Sequence, residues 1–386
     1  MDVLFSTTFC LLIITGGFAA DMSLTLVRNA QDTGAVCLDG SPPGYYYRKG
    51  STDPNKWIIH MEGGGYCNDE KDCVKRSFTD LGSSKKWSST KELSGFLSDD
   101  CTENPHFCGW SVAFIPYCDG GIYSGNVLHP VKVDIIYTIY FRGIRILDTV
   151  IGALLTAGVN NAEHVILTGC SAGGLSTYLH VDRIRGLLPN NIPMHALADA
   201  GYFLDAPNVQ GDYAIREAGQ YVFKMQNVSG GLNQACVTAY SKTNEDWKCI
   251  FPQYSYQYIK SPIFSFNSAY DTWQLANILQ LGCLPPKCSE EQMKQFENYG
   301  QEFKAAVSPV IQSPTNGAFI DSCVIHCQSL STTSWTQFKV DNQTVGDTFY
   351  AWMTGNTAMY KSKVVDCAYP CNPTCSKTAI SPDEVV

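Results

Sequence analysis

Gly169-Cys170-Ser171-Ala172-Gly173 reads G-x-S-x-G, and the residues on either side of it decide the fold. His164-Val165-Ile166-Leu167-Thr168, just before it, is short, apolar and rich in β-branched residues, which predicts a strand. After it, Leu175, Tyr178, Val181, Ile184 and Leu188 recur every three or four residues and stop at Pro189, which predicts a helix. Strand, tight turn, helix is the geometry of a nucleophile elbow. Small residues flank the serine because the turn is too sharp for side chains. The turn lifts the Ser171 hydroxyl above the sheet, and the helix N-terminus behind it favours negative charge developing on an attacked carbonyl. Ser171 is therefore the candidate nucleophile.

Working outward, residues 57–61 read as a strand that ends in Glu62-Gly63-Gly64-Gly65, and residues 112–115 as another. A helical pattern follows Arg142, with Ile144, Leu147, Ile151 and Leu154 on one face and Gly158 as C-cap. Residues 196–198 and 263–266 are further short strands. This alternation predicts an α/β fold: a doubly wound, mostly parallel sheet of the α/β-hydrolase kind, with cap or loop insertions. Residues 210–258 are aromatic and cysteine-containing without a clear period, and are expected to form a cap or loops over the sheet. No repeat, low-complexity tract or linker interrupts the chain, so 21–386 is expected to be one domain.

A serine nucleophile needs a base, and in α/β-hydrolases the chain order is serine, acid, histidine. Three histidines follow Ser171: His180, His195 and His326. The first two lie on or just after the elbow helix and leave no room for an acid-bearing strand, so His326 is the candidate base. Its context, Asp321-Ser322-Cys323-Val324-Ile325-His326-Cys327, brackets it with cysteines that would pin the loop. The acid belongs just past a strand, where Asp271 follows residues 263–266; it would orient His326 and stabilise the imidazolium. Asp321 is the rival, although it is close to His326 in sequence, and Asp199 and Asp205 also lie between nucleophile and base. Backbone donors for the oxyanion are available from Ala172 N–H and from the Gly63-Gly64-Gly65 run.

The chain has 386 residues, 45% hydrophobic and 16% charged, which excludes a disordered protein. A net charge of −9 and the lack of a basic run argue against nucleic acid as a partner. Residues 3–18 form an apolar run ending in small residues and read as a secretory signal, 1–20, with an atypical start that carries Asp2 and no basic residue. The alternative is an N-terminal anchor, for which the run is short against the ~20 residues of a span. Seventeen cysteines support export. Cys10 lies in the presumed signal. Others fall in close sets: Cys67 with Cys73, Cys101 with Cys108, Cys236 with Cys249, Cys283 with Cys288, Cys323 with Cys327, and Cys367, Cys371 and Cys375. They read as disulfides of open connectivity. Zinc is the competing reading for the last three, although no histidine lies near them. Cys170, inside the elbow, is a candidate free thiol, which by parity would leave a second. Asn227 and Asn342 begin glycosylation sequons.

Longer motifs resemble a known family, the plant pectin acetylesterases. They are Val36-Cys37-Leu38-Asp39-Gly40-Ser41-Pro42-Pro43, Glu62-Gly63-Gly64-Gly65, Tyr117-Cys118-Asp119-Gly120, the elbow with Gly174-Leu175, Phe251-Pro252-Gln253-Tyr254, Ala269-Tyr270-Asp271-Thr272-Trp273-Gln274, the His326 segment with Gln328, and residues 366–375. The family includes Notum, an animal carboxylesterase that removes a fatty acyl group from secreted Wnt proteins. The resemblance implies an α/β-hydrolase fold, a triad at Ser171, Asp271 and His326, and oxyanion donors at Gly64, Gly65 and Ala172. Where Notum has tryptophan this chain has Gly65, like the plant enzymes. Residues 181–183 and 197–205 look closer to Notum. A cysteine that the plant enzymes carry near each of residues 181 and 195 is missing here, and Cys101 with Cys108 looks like an extra pair. The expectation is a secreted, monomeric serine carboxylesterase that hydrolyses acetyl esters of pectin or a related cell-wall polysaccharide, with no metal or organic cofactor. The alternatives are a Notum-like hydrolase of fatty acyl esters on a lipidated protein, which needs a deep apolar pocket, and a catalytically silent carbohydrate-binding protein.

Overall fold

The computed structural model describes residues 22–375; the expected signal segment lies outside them. The strands are β1 Met22–Leu26, β2 Gly44–Arg48, β3 Asp53–Met61, β4 Thr90–Lys91, β5 Trp110–Ile115, β6 Val131–Lys132, β7 Thr138–Ile139, β8 His164–Cys170, β9 Met194–Asp199, β10 Ile263–Ser268, β11 Gly317–Asp321 and β12 Lys363–Val365. Apart from the small β6-β7 hairpin they form one ten-stranded sheet, ordered β12-β11-β10-β9-β8-β3-β5-β2-β1-β4. From β12 to β5 every pairing is parallel; β2, β1 and β4 complete the other edge antiparallel. The expected doubly wound sheet is therefore present.

Period-2 patterning explains why the sheet is covered on both faces. In β3, Trp57, Ile59 and Met61 enter one core, while Ile58 enters the other. In β5, Ala113 and Ile115 go one way, and Val112 and Phe114 the other. Strands buried on both sides read as continuous apolar runs, as parallel strands do. Each fully buried Leu, Ile or Phe is worth about 1.5–3 kcal/mol, so no face of these strands is left to solvent.

The helices are α1 Glu70–Arg76, α2 Gly143–Ala157, α3 Ala172–Leu187, α4 Ala214–Met225, α5 Gln234–Ser241, α6 Pro252–Ser255, α7 Thr272–Asn277, α8 Glu290–Gln312, α9 Thr332–Gln337 and α10 Val345–Thr354. The predicted stripe of α2 (Ile144, Leu147, Ile151, Leu154) is buried in the first core, and Gly158 caps it. Residues 210–258 carry α4, α5 and α6 rather than irregular loops. The period of α4 was hidden by its shortness and by a glycine: Ile215, Gly219, Val222 and Phe223 face inward.

Eight disulfides engage every cysteine from Cys37 to Cys375. Four of the close sets pair internally: Cys67–Cys73, Cys101–Cys108, Cys236–Cys249 and Cys283–Cys288. The last set pairs Cys367 with Cys371 and sends Cys375 to Cys323, which therefore does not bond Cys327, and Cys37 bonds Cys118. These bonds consume the sulfurs of the zinc reading. Cys170 is not a free thiol: it bonds Cys327. Among the described residues no helix is long and apolar enough to cross a membrane. Asn227 and Asn342 are both exposed.

Candidate active site

The chain reverses its winding at β3 and β8. From β3 it adds β5 on one side; from β8 it proceeds through β9, β10 and β11 on the other. Ligands of open α/β sheets bind beyond the carboxyl ends of the strands at such a switch point. Both glycine motifs lie there. Met61, at the end of β3, is level with Gly169 of β8, so the Gly63–Gly65 loop leaves the sheet beside the elbow.

Ser171 has φ 57° and ψ −125°, a backbone conformation that a non-glycine residue holds only when its surroundings enforce it. Close packing enforces it here. A Cβ on Gly173 would strike the Met61 carbonyl, and one on Gly169 would strike Gly173 O. Ser171 N–H donates to Asp199 O at 3.1 Å, and Leu175 N–H donates to Ser171 O at 2.8 Å, opening α3.

Asp271 is the N-cap of α7. Its Oδ1 accepts from Gln274 N at 3.0 Å while Oδ2 lies 2.7 Å from His326 Nδ1. Both side chains are nearly sealed, at 8% exposure for His326 and 1% for Asp271. Burial pushes the imidazole pKa down, but the Asp271 charge and hydrogen bond outweigh it, with help from Asp199, and leave it above 6.5. His326 Nε2 is buried with no hydrogen-bond partner. The rings of Phe203 and Trp273 lie 6.3 and 6.4 Å from the imidazole.

The Cys170–Cys327 bridge joins the residue before Ser171 to the residue after His326, with Cα atoms 5.6 Å apart. Nucleophile and base candidates are thus neighbours by covalent constraint. The other acids have different work. Asp199 Oδ2 accepts from Gln328 N at 2.9 Å and Ser329 N at 2.7 Å, holding the loop that carries His326. Its burial raises its pKa to about 6. Asp321 accepts from Cys323 N and Gln328 Nε2. Asp205 pairs with Arg216 at 2.9 Å and accepts from Tyr254 OH at 2.7 Å, fastening α4 over the sheet. His180 is buried against Ser124 Oγ and Ile122 O, and His195 bonds His164; neither meets Ser171.

The glycine loop is anchored at both ends. Glu62 accepts from Tyr117 N and pairs with Lys91 at 3.0 Å, while Cys67 is bridged to Cys73. Between them Gly64 and Gly65 take φ 131° and 64°, values that suit glycine. Gly65, Ser171 and Ala172 border one pocket with about 430 Å³ of empty space, part of it open to solvent. Its walls are Leu175, Phe203, Ile215, Ile250, Phe251 and Trp273, with Tyr66 and Gly219. The structure thus pairs Asp271 with His326, tethers the His326 loop to the elbow through Cys170–Cys327, and sets Ser171, Ala172 and Gly65 around one pocket, with Gly64 beside Gly65 in the same loop. Sequence reasoning missed the Cys170–Cys327 staple, the loop-holding role of Asp199 and the pocket wall from α4, all of which depend on distant contacts.

A family model described as Pectinacetylesterase matches residues 18–376. Pectin acetylesterase 5 of Arabidopsis thaliana is 36% identical over 92% of this chain and 84% of its own, and Pectin acetylesterase 7 of the same plant is 35% identical over 96% of both. Palmitoleoyl-protein carboxylesterase notum2 of Xenopus laevis is 31% identical over 92% of this chain and 74% of its own. The solved structure of the Wnt deacylase Notum from Drosophila superposes with a TM-score of 0.81 at 27% identity, covering 92% of this chain and 100% of that one. The chain belongs to the pectinacetylesterase family and is a carboxylic ester hydrolase.

Proposed function

We propose that this esterase hydrolyses acetyl esters of pectin or a related cell-wall polysaccharide outside the cell, through a Ser171-His326-Asp271 triad. The observation that carries the mechanism is the Asp271–His326 bond at 2.7 Å beside an elbow that exposes Ser171. Asp271 holds the imidazole with Nδ1 protonated, which leaves Nε2 as the base. Ser171 Oγ attacks the acyl carbon as its proton passes to Nε2. The oxyanion is held by backbone N–H groups of Ala172, Gly64 and Gly65. His326 returns the proton to the departing sugar oxygen. Water, activated by the same nitrogen, then releases acetate and frees Ser171. Identity to the plant acetylesterases, higher than to notum2, supports the acetyl reading.

A second reading has its own support. The wall beside Ser171 is apolar, built from Leu175, Phe203, Ile215, Ile250, Phe251 and Trp273. This favours acceptance of longer acyl groups, as in the palmitoleoyl-protein carboxylesterase relatives.

Acetate release from acetylated pectin, measured for the purified protein and for Ser171→Ala, tests the proposal. Release by the parent alone supports it. No release from a parent that still reacts with a fluorophosphonate rejects the acetyl-polysaccharide substrate and favours the longer acyl chain.

A further inference from the structure

We propose that Arg76 is the receptor for a substrate carboxylate beside the scissile ester, so that the enzyme selects uronate over neutral sugar esters; this deepens the polysaccharide reading and rests on it. Arg76 closes α1, immediately behind the glycine loop. Its stem is fixed by its surroundings: a Cβ on Gly120 would lie 3.1 Å from Arg76 Cδ, and Cζ sits 5.9 Å from the Tyr117 ring centroid.

The guanidinium has no protein partner among the described residues. Nη1 is buried without an acceptor. Six other arginines each make at least one side-chain hydrogen bond to a protein group, although Arg48 and Arg142 also keep buried nitrogens without an acceptor. Arg48 donates to Leu97 O, Arg142 to Leu128 O, Arg145 to Asn126, Arg183 to Asp148, Arg185 to three carbonyls and Arg216 to Asp205. Nη1 is sealed from solvent, so the edge left for a ligand is Nε with Nη2, and a carboxylate is the ligand such a planar edge fits best.

Gly65 points that fork at the site. A Cβ there would find a single heavy atom within 4 Å, Arg76 Nη2 at 3.8 Å. Nη2 therefore lies one van der Waals contact beyond the pocket-lining Gly65. Pectin is built on galacturonate, whose carboxylate projects from the same ring as the acetylated hydroxyls. With the acyl group at Ser171, the ring lies at the pocket mouth and its carboxylate, or that of the next residue, faces Arg76. Of the nearby acids, Glu62 is held by Lys91 and Tyr117 N. Asp119 Oδ2 accepts from Gly121 N, while its Oδ1 is buried without a partner, and among the described residues no hydrogen bond or ion pair joins Asp119 to Arg76. The rival role for Arg76 is long-range counter-charge to the buried Asp119.

The test is inhibition of p-nitrophenyl acetate hydrolysis by trigalacturonate and by its methyl ester, in the parent, Arg76→Gln and Arg76→Lys. The readout is the ratio of the two inhibition constants within each protein, so changes in basal rate or stability cancel. The parent is expected to bind the free acid about tenfold to a hundredfold tighter than the ester. Arg76→Gln is expected to bring that ratio to about one, and Arg76→Lys to restore part of it. Equal constants in the parent, or a ratio unmoved in Arg76→Gln, would overturn the assignment and leave Arg76 to Asp119. Because the assay needs no acetylated polymer, it overturns or supports the carboxylate site whether or not pectin releases acetate.

Discussion

His326 is poised by one bond, and its consequences are measurable. In the proposed triad, His326 must be neutral to accept the Ser171 proton. The Asp271 charge raises the imidazole pKa, so kcat/KM is expected to rise with pH through an inflection above 6.5. In Asp271→Asn the larger raising causes are gone, and burial remains against Asp199 alone. The inflection is then expected to move below the parent's, with kcat lower by about 10⁴-fold from the wrong tautomer. Asparagine still caps a helix, so this variant is expected to fold like the parent. Asp271→Ala also loses the bond to Gln274 N and is expected to cost a further ~1 kcal/mol in urea unfolding. Ser171→Ala is expected to lose at least about 10³-fold in kcat and all fluorophosphonate labelling. At this scale the sequence was most legible. The elbow announces itself within ten residues; chain order pointed to His326, and a place just past a strand favoured Asp271 over Asp321, Asp199 and Asp205. Arg76 carried no such signal, because an isolated arginine means nothing until its neighbours are known to leave it without an acceptor.

Helix α4 sets the far wall of the pocket. Ile215 and Gly219 face the cavity, and Asp205 with Arg216 fastens the helix over it. A Cβ on Gly219 would press on the Phe251 ring at 3.1 Å, so bulk added there has only the cavity to occupy. Gly219→Val is expected to lower kcat/KM for p-nitrophenyl octanoate about tenfold relative to p-nitrophenyl acetate, since each displaced methylene is worth roughly 1 kcal/mol. Equal losses on both esters would mean that the acyl chain does not enter this cavity. The elements that positioned the site were readable where periodicity was long: β3, β8, α2 and α3. The cap was not, because α4 spends part of its period on a glycine and on aromatic residues that face partners far along the chain.

At the level of the whole molecule, the Cys170–Cys327 bridge closes a loop of 157 residues, from the end of β8 to the segment that follows β11. Spacing could not reveal this pairing, since it follows from the parallel topology rather than from any local set. Replacing both cysteines with alanine is expected to cost about 4–5 kcal/mol by loop-closure entropy, lowering Tm by several degrees and slowing ester hydrolysis. Reduction of the folded parent should do the same. The bridge also orders events in time. Synthesis delivers the elbow and glycine loop long before residues 271 and 326, and domains assemble in that direction. A nascent chain therefore carries a serine with no base to activate it. The bridge can form only after Cys327 has been made and only where an oxidant is present, so hydrolysis at the full rate is expected to wait for oxidative maturation.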